Sequence, residues 1–281
     1  MKDIVILIHV FLYLCRIGYD LSMRKYELNL RVKENISLNP NYFLLKLTSD
    51  KQLPDMQPGQ FVEVRVEGSS DTFLRRPISI NFVDKEANDL WLLIQQIGDG
   101  TRQLATYKVG DTINLLLPLG NGFTIPEKSG DLRLLLIGGG VGAAPLLFLG
   151  DKLKQAGFHP EFLLGTGRKE DIVQLSEFQQ RGTVCATTED GSLGEKGYVT
   201  DHPVLQHSIY DCIYTCGPKP MMVAIARYAS SRNIPCEASL ENLMACGIGA
   251  CLCCVEKTKD GHKCVCTDGP VFNINELTWL S

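Results

Sequence analysis

Six of the eleven cysteines of this 281-residue chain fall between residues 246 and 266. Four of them, Cys246, Cys251, Cys254 and Cys266, follow the spacing Cx4C, x2C, x11C through the strings CGIGACLCC and VCTDGP. A tight loop with three thiolates and a later fourth is the plant-type arrangement for a 2Fe-2S cluster, so the chemistry on offer is one-electron transfer. Gly247 and Gly249 suit it, because a loop without Cβ atoms can take unusual φ values and bring N–H groups close to sulfur. Other thiol chemistries fit less well. Disulfide frameworks belong to short secreted chains, and zinc sites commonly pair two CxxC units where this chain has one. Cys253 and Cys264 each adjoin a proposed ligand. Exchanging either for its neighbour would break the intervals, so both are read as non-ligand thiols packed near the cluster.

A second set of residues lies upstream. Arg75-Arg76-Pro77-Ile78-Ser79 places two arginines before a proline in an otherwise apolar strand. Arg76 can fork onto a phosphate and the proline holds the strand edge open; alone, the pair reads better as a basic edge that discourages strand pairing. Leu93-Ile94-Gln95 ends another strand, and Gly98-Asp99-Gly100-Thr101 then leads into the helical stretch TRQLATY, whose first N–H groups form an anion site. Two phosphate-binding elements on one unit imply a dinucleotide such as FAD. Further on, GGGVGAAP (138–145) joins a buried strand to a helix, the setting in which a glycine loop admits a pyrophosphate. It is not a strict GxGxxG, and such a loop also serves tight strand-to-helix packing. The second strand, EFLLGTGRKED, ends on Arg168 and Lys169 rather than on an acidic residue, which leaves NAD and NADP both open. Cys216-Gly217-Pro218 caps a later strand and reads, by itself, as a turn with a buried thiol.

These residues need three supports. Residues 23–128 show short alternating apolar runs with turn signals between them, the pattern of a small antiparallel β-barrel. Residues 129–236 alternate strand and helix, which predicts a doubly wound parallel sheet, and residues 237–281 form a small cluster-binding domain. The net charge of −4 and the absence of a basic run with interleaved aromatics argue against a nucleic-acid surface. Ile4 to Cys15 is an apolar run too short to span a bilayer, without the flanks of a signal peptide. Residues 1–22 are therefore read as a possible upstream extension, and no membrane role is expected. Clustered thiols point to a reducing cytoplasm.

In their order, RRPIS, LIQ before GDGT, GGGVGAAP and CGPKPMM resemble the ferredoxin-reductase-like flavoproteins. The tail, LENLMACGIGACLCC with CVCTDGPVF, extends the resemblance to the electron-transfer subunits of B-type dihydroorotate dehydrogenases, from about residue 26 onward. The resemblance implies that Arg76, Pro77, Ile78 and Ser79 line the flavin, with the Ser79 hydroxyl near its reactive edge. It implies that Leu93, Ile94 and Gln95 flank the isoalloxazine and ribityl chain, and that Gly100 and Thr101 hold the pyrophosphate. Gly140 and Gly142 would pass the nicotinamide dinucleotide, Cys216 and Gly217 would lie near the nicotinamide, and Cys246, Cys251, Cys254 and Cys266 would bind the cluster. The implied cofactors are FAD and a 2Fe-2S cluster, with NAD as substrate. The implied partner is an FMN-containing dihydroorotate dehydrogenase catalytic subunit, in a heterotetramer of two of each, serving pyrimidine biosynthesis.

Similar subunits on the same scaffold serve NADH-dependent ferredoxin:NADP oxidoreductase, sulfide dehydrogenase and sulfite reductase. In the first of these an aspartate can replace one thiol, whereas all four positions are cysteine here. A zinc-stabilised binding module is the reading from a different class, and the flavin and nicotinamide motifs weigh against it. A subunit needs contact surface: GIGAC and the apolar strip PVFNINELTWL are expected to supply it, unless Leu277 and Trp279 pack back onto the chain.

Overall fold

In Tyr26–Asn39 (β1) Leu28, Leu30 and Val32 alternate with polar residues, and that alternation turns one face of the strand into a core. The same logic builds β2 (Tyr42–Thr48), β3 (Phe61–Val64), β4 (Arg76–Ser79), β5 (Phe82–Asp84), β6 (Asp89–Gln95) and β7 (Thr112–Leu119), with one short helix, α1 (Asp99–Leu104), before β7. The computed structural model describes residues 24–68, 72–127 and 131–280, so the run expected as an extension at 1–22 lies outside the described residues.

The strands pair antiparallel in the order β4-β3-β7-β1-β2-β6-β5. Its two edges, β4 and β5, are almost continuous in sequence. The Ile80 N–H donates to the Gln60 carbonyl, and the next N–H, of Asn81, donates to Trp91 across the sheet. One stretch of chain thus changes partner at residues 80–81 and closes the sheet into a barrel, which removes its open edges. Leu30, Leu45, Val62, Ile80, Leu92 and Leu115 fill the interior and are fully buried.

The second half forms β8 (Leu134–Gly139), α2 (Ala144–Gln155), β9 (Glu161–Thr166), α3 (Leu175–Gln179), β10 (Thr183–Thr188), β11 (Glu195–Lys196), α4 (Val204–His207), β12 (Cys212–Cys216), α5 (Lys219–Ser231) and β13 (Cys236–Ser239). The order is β11-β10-β9-β8-β12-β13, all parallel. Every residue of β8 is buried, as a central parallel strand covered on both faces requires. From β8 the chain builds outward to β11, then returns to β12 on the other side. The order reverses between β8 and β12, and open α/β sheets bind ligands at such a point, outside the carboxyl ends of the strands.

The remaining segment adds a hairpin, β14 (Val255–Thr258) with β15 (Gly261–Cys264), and then β16 (Val271–Asn273), which pairs antiparallel with β13. The strand β13 straddles the division expected between residues 236 and 237. The strip PVFNINELTWL packs back onto the chain: Phe272, Ile274, Leu277 and Trp279 are buried in one core with Ile225 and Ala229 of α5. Apolar side chains stepping along a strand and a turn beside an uncovered sheet edge bury themselves there. Among the described residues no helix is long and apolar enough to cross a membrane.

Candidate functional site

The loop 246–254 is shaped by left-handed backbone at Gly247 (φ +66°), Gly249 (φ +82°) and Leu252 (φ +59°). The curl aims main-chain N–H groups at sulfur. Ile248 N–H donates to Cys246 Sγ at 3.5 Å, Cys253 N–H to Cys251 Sγ at 3.5 Å, Cys266 N–H to Cys254 Sγ at 3.4 Å, and Gly249 N–H to Cys266 Sγ at 3.2 Å. All four candidate ligands therefore accept a backbone hydrogen bond, whereas among the described residues neither Cys253 nor Cys264 does. Donors of this kind favour thiolate over thiol and tune a cluster's potential. Burial opposes ionisation of Cys246, but the N–H groups of Ile248, Cys251 and Ala250 and the Cys251 side chain outweigh it and bring this thiol down to about 6. Burial, and then the neighbouring Cys254, push Cys266 up to about 12, so a metal binding there displaces a proton.

Cys246 lies beside Cys251, and Cys254 lies beside both Cys266 and Cys264. Among the described residues, no three His, Cys, Asp or Glu side chains converge on one point that a single metal ion would fill. No disulfide joins the described cysteines. Cys253 is exposed rather than packed, and Cys264, half-buried, lies beside Cys254.

This loop rests on the barrel. On β3, Val62 and Val64 point into the interior, while Phe61 joins the core shared with the cluster segment. Glu63 is paired with Pro77 of β4 and is fully buried, and among the described residues neither of its carboxylate oxygens has a hydrogen-bond partner. Burial, with Arg75 opposing and Cys246 adding, pushes its carboxyl up to about 7. Sequence reading missed this residue; the signal was a lone glutamate between valines in FVEV.

The arginine pair divides its roles. Arg75 donates to the carbonyls of Glu63 and Asn114, to the Asn114 side chain and to Glu27, and so ties β4 to β3, β7 and β1. Among the described residues Arg76 bonds the nearby carbonyls of Leu74 and Arg75, and its side chain crosses Gly100, where a Cβ would lie 2.7 Å from Nε. The two phosphate-binding elements read from the sequence therefore adjoin. The Thr101 hydroxyl accepts from the N–H groups of Ile97 and Gly98 and donates to the Gly98 carbonyl, which leaves main chain as what Thr101 can offer an anion. Pro77, Ile78 and Ser79 are half-buried along β4. On β6, Leu93 faces outward with Tyr42, Leu44 and Ala144 and Gln95 is half-buried, but the Ile94 side chain turns into the barrel core, so only its backbone can line a ligand.

At the reversal point, a Cβ on Gly142 would lie 2.4 Å from the Gly217 Cα, so this glycine is required for packing of the two loops. Gly140 differs: it has φ +54° and faces open space up to the Tyr42 hydroxyl, 3.9 Å from where its Cβ would be. Cys216 is buried, which pushes its thiol up to about 12 despite Ser239, and it stays neutral. Leu93 of the barrel shares one cleft with Gly140, Ala143, Thr166 and Asp171. Arg168 lies outside this cleft, exposed and 3.6 Å from Asp171.

The barrel, the reversal point and the thiol loop define a flavoprotein oxidoreductase of the ferredoxin-reductase type that carries an iron-sulfur segment. Residues 27–123 match the family model for the oxidoreductase FAD-binding domain, and residues 241–278 match that for the iron-sulfur cluster binding domain of dihydroorotate dehydrogenase B. A solved structure of NADH-dependent reduced ferredoxin-NADP oxidoreductase superposes with a TM-score of 0.80 at 29% identity, covering 89% of this chain and 90% of that one. Amycolatopsis cytochrome P450 reductase shares the fold, with a TM-score of 0.65 at 21% identity over 75% of this chain and 67% of its own. The electron transfer subunit of dihydroorotate dehydrogenase B (NAD(+)) from Shouchella clausii is 38% identical over 260 residues, 91% of this chain and 99% of that protein. Its counterpart from Caldanaerobacter subterraneus is 42% identical over 226 residues, 78% and 86% of the two chains. The chain belongs to the family of electron transfer subunits of dihydroorotate dehydrogenase B.

Proposed function

We propose that this chain carries electrons between a catalytic subunit that oxidises dihydroorotate on FMN and the nicotinamide nucleotide NAD, in pyrimidine biosynthesis. Cys246, Cys251, Cys254 and Cys266 would hold a 2Fe-2S cluster, which would carry single electrons. FAD lies along β4, with Arg76 and the backbone at Gly100 and Thr101 on its pyrophosphate, and with Ser79, Leu93 and Gln95 beside the isoalloxazine and ribityl chain. NAD enters over Gly140, toward Cys216 and Gly217. The division of the chain follows the sheet: barrel to about 127, nucleotide-binding unit to Ser239, cluster segment beyond it. The holoenzyme is a heterotetramer of two catalytic and two electron-transfer chains.

The observation that carries this reading is the N–H donation to four sulfurs, three in a loop seated on β3 and the fourth, Cys266, bonded to that loop; β3 is the strand next to the one that lines the flavin. FAD supplies the exchange between two-electron and one-electron chemistry, and the cluster carries single electrons. The chain contributes placement. Gly247 lets the loop approach β3, Arg76 and Gly100 fix the phosphate end of the flavin, and Gly142 brings the two loops at the reversal point into contact.

The test is an anaerobic visible spectrum with metal analysis, before and after NADH. Flavin bands, an iron-sulfur shoulder and about two irons per chain, with bleaching by NADH, are expected; zinc without flavin would overturn the reading. Mixing with an FMN-containing dihydroorotate dehydrogenase catalytic subunit should yield dihydroorotate-dependent NAD reduction. Activity with a ferredoxin partner instead would favour the ferredoxin-NADP oxidoreductase reading.

A further inference from the structure

Asn81 is fully buried at the corner where the flavin strand changes partner, two residues beyond Ser79. Its backbone N–H stays in the barrel, on Trp91, but every hydrogen bond of its side chain crosses to the nucleotide-binding half. Nδ2 donates to the Ala144 carbonyl at 3.0 Å and to Gln174 Oε1 at 3.1 Å, and Oδ1 accepts from Gln174 Nε2 at 2.9 Å. Ala144 opens α2, two residues beyond Gly142. Gln174 caps α3 in a left-handed conformation (φ 58°, ψ 26°), a backbone state that a glutamine rarely adopts and that the surrounding contacts must hold. A reciprocal amide pair therefore connects the segment that ends the flavin strand to the segment that begins the helix after the glycine loop.

Adhesion does not explain it. Phe82 already packs edge-on against Phe148 of α2, Arg181 lies over the Phe82 ring, and Tyr42, Leu44, Leu93 and Ala144 form an apolar seam. Apolar contact is non-directional, whereas a fully satisfied buried amide network specifies one arrangement. We propose that Asn81 and Gln174 are positioning residues that set the distance between the nicotinamide loop and the flavin strand, and so the geometry of hydride transfer. The inference rests on the cofactor placement given above. In the assayed direction the C4–H bond of NADH breaks and a new N–H bond forms at flavin N5. The hydride carries one proton and two electrons, so the nucleotide is oxidised as the flavin is reduced. Reacting atoms must approach to about 3–3.5 Å, and a misplacement of about 1 Å costs on the order of 100-fold in rate.

The test uses the holoenzyme with its catalytic subunit, as wild type, Gln174→Ala, Asn81→Ala and the double variant, followed by stopped-flow flavin absorbance. Gln174→Ala is expected to slow flavin reduction by saturating NADH by about 10- to 100-fold and to change the half-saturating NADH concentration less than about threefold. Reduction of the same flavin by dihydroorotate, arriving through the cluster, should keep its wild-type rate. Hydrogen-deuterium exchange at residues 138–145 should rise, and the double variant should be no slower than Asn81→Ala. Where Asn81→Ala fails to fold, Gln174→Ala decides alone. A Gln174→Ala enzyme with the wild-type rate from NADH, or with both half-reactions slowed equally, overturns the positioning role. A wild-type flavin that dihydroorotate reduces and NADH does not would overturn the cofactor placement, and the positioning role with it.

Discussion

Gly247 sits directly against the side chain of Glu63: a Cβ on this glycine would lie 2.7 Å from Glu63 Cγ and 3.2 Å from Oε1. One residue belongs to the thiol loop, and the other is paired with Pro77 on the strand that lines the proposed flavin site. The contact joins the two proposed redox elements directly. It explains why the loop has a glycine at this position for two separate reasons, its φ of +66° and the absence of room for a methyl group.

Replacing Gly247 by alanine should therefore displace the loop. The left-handed conformation costs about 1–2 kcal/mol for a residue with a Cβ, and the crowding against Glu63 and Leu119 adds to it. Iron content per chain and visible circular dichroism of the purified variant should fall, while FAD content stays at the wild-type value. A variant with full iron and an unchanged cluster spectrum would show that the loop has slack that the contact does not reveal.

Glu63 should make stability pH-dependent in an unusual direction for a carboxyl. Its folded-state value of about 7 lies above the unfolded value of about 4.3, so the folded chain holds the proton more tightly. The resulting stabilisation is complete below about pH 4 and is lost as pH rises through 7; over the full range it amounts to about 4 kcal/mol. Glu63→Gln keeps the shape and removes the titration. Denaturation midpoints compared between pH 5 and 8.5 should show wild type losing stability relative to the variant as pH rises. Parallel curves would place the Glu63 pKa near its unperturbed value.

Features carried by local chemistry were legible in the sequence, and features carried by distant contacts were not. The four-cysteine spacing and the strand-glycine-helix transition at 134–144 are local, and the structure places both as expected. The split between Arg75 and Arg76 was not legible, because the partners that immobilise Arg75, Glu27 and Asn114, lie 48 and 39 residues away. The resemblance sets Ile94 beside the flavin with Leu93 and Gln95, and alternation, which turns its side chain inward, leaves its backbone for that role. The strip PVFNINELTWL is apolar whether it meets a partner or its own sheet edge, and pattern alone does not choose. Glu63 faces outward by strand parity, and only the cluster segment folding over that face makes it buried.

The arginine pair offers a separable test of structural and ligand-binding roles. Arg76→Ala should weaken FAD retention by about 10- to 100-fold, the value of one or two hydrogen bonds to a charged group. Lysine should restore it only in part, because a point charge cannot fork onto two phosphate oxygens. Arg75→Ala should lower the unfolding free energy by about 1–3 kcal/mol and leave the flavin stoichiometry unchanged. Fluorescence titration of the apoprotein with FAD, alongside urea denaturation, checks both. If Arg75→Ala loses flavin as readily as Arg76→Ala, the division of roles is wrong.

Serine substitution should sort the six clustered cysteines into two groups. Cys246→Ser, Cys251→Ser, Cys254→Ser and Cys266→Ser each remove a sulfur that accepts a backbone N–H. Each should purify with well under the two irons per chain expected of an intact centre, about two, and with a diminished long-wavelength shoulder. Cys253→Ser and Cys264→Ser leave all four donated sulfurs in place, so both should retain iron and the spectrum of the wild type. Cys253 is exposed, and its loss should slow alkylation by a thiol reagent in the intact protein. Cys264 is the more demanding case, because it lies beside Cys254. If Cys264→Ser loses the cluster while Cys254→Ser or Cys266→Ser keeps it, Cys264 is the ligand and the regular spacing is not what selects the thiols.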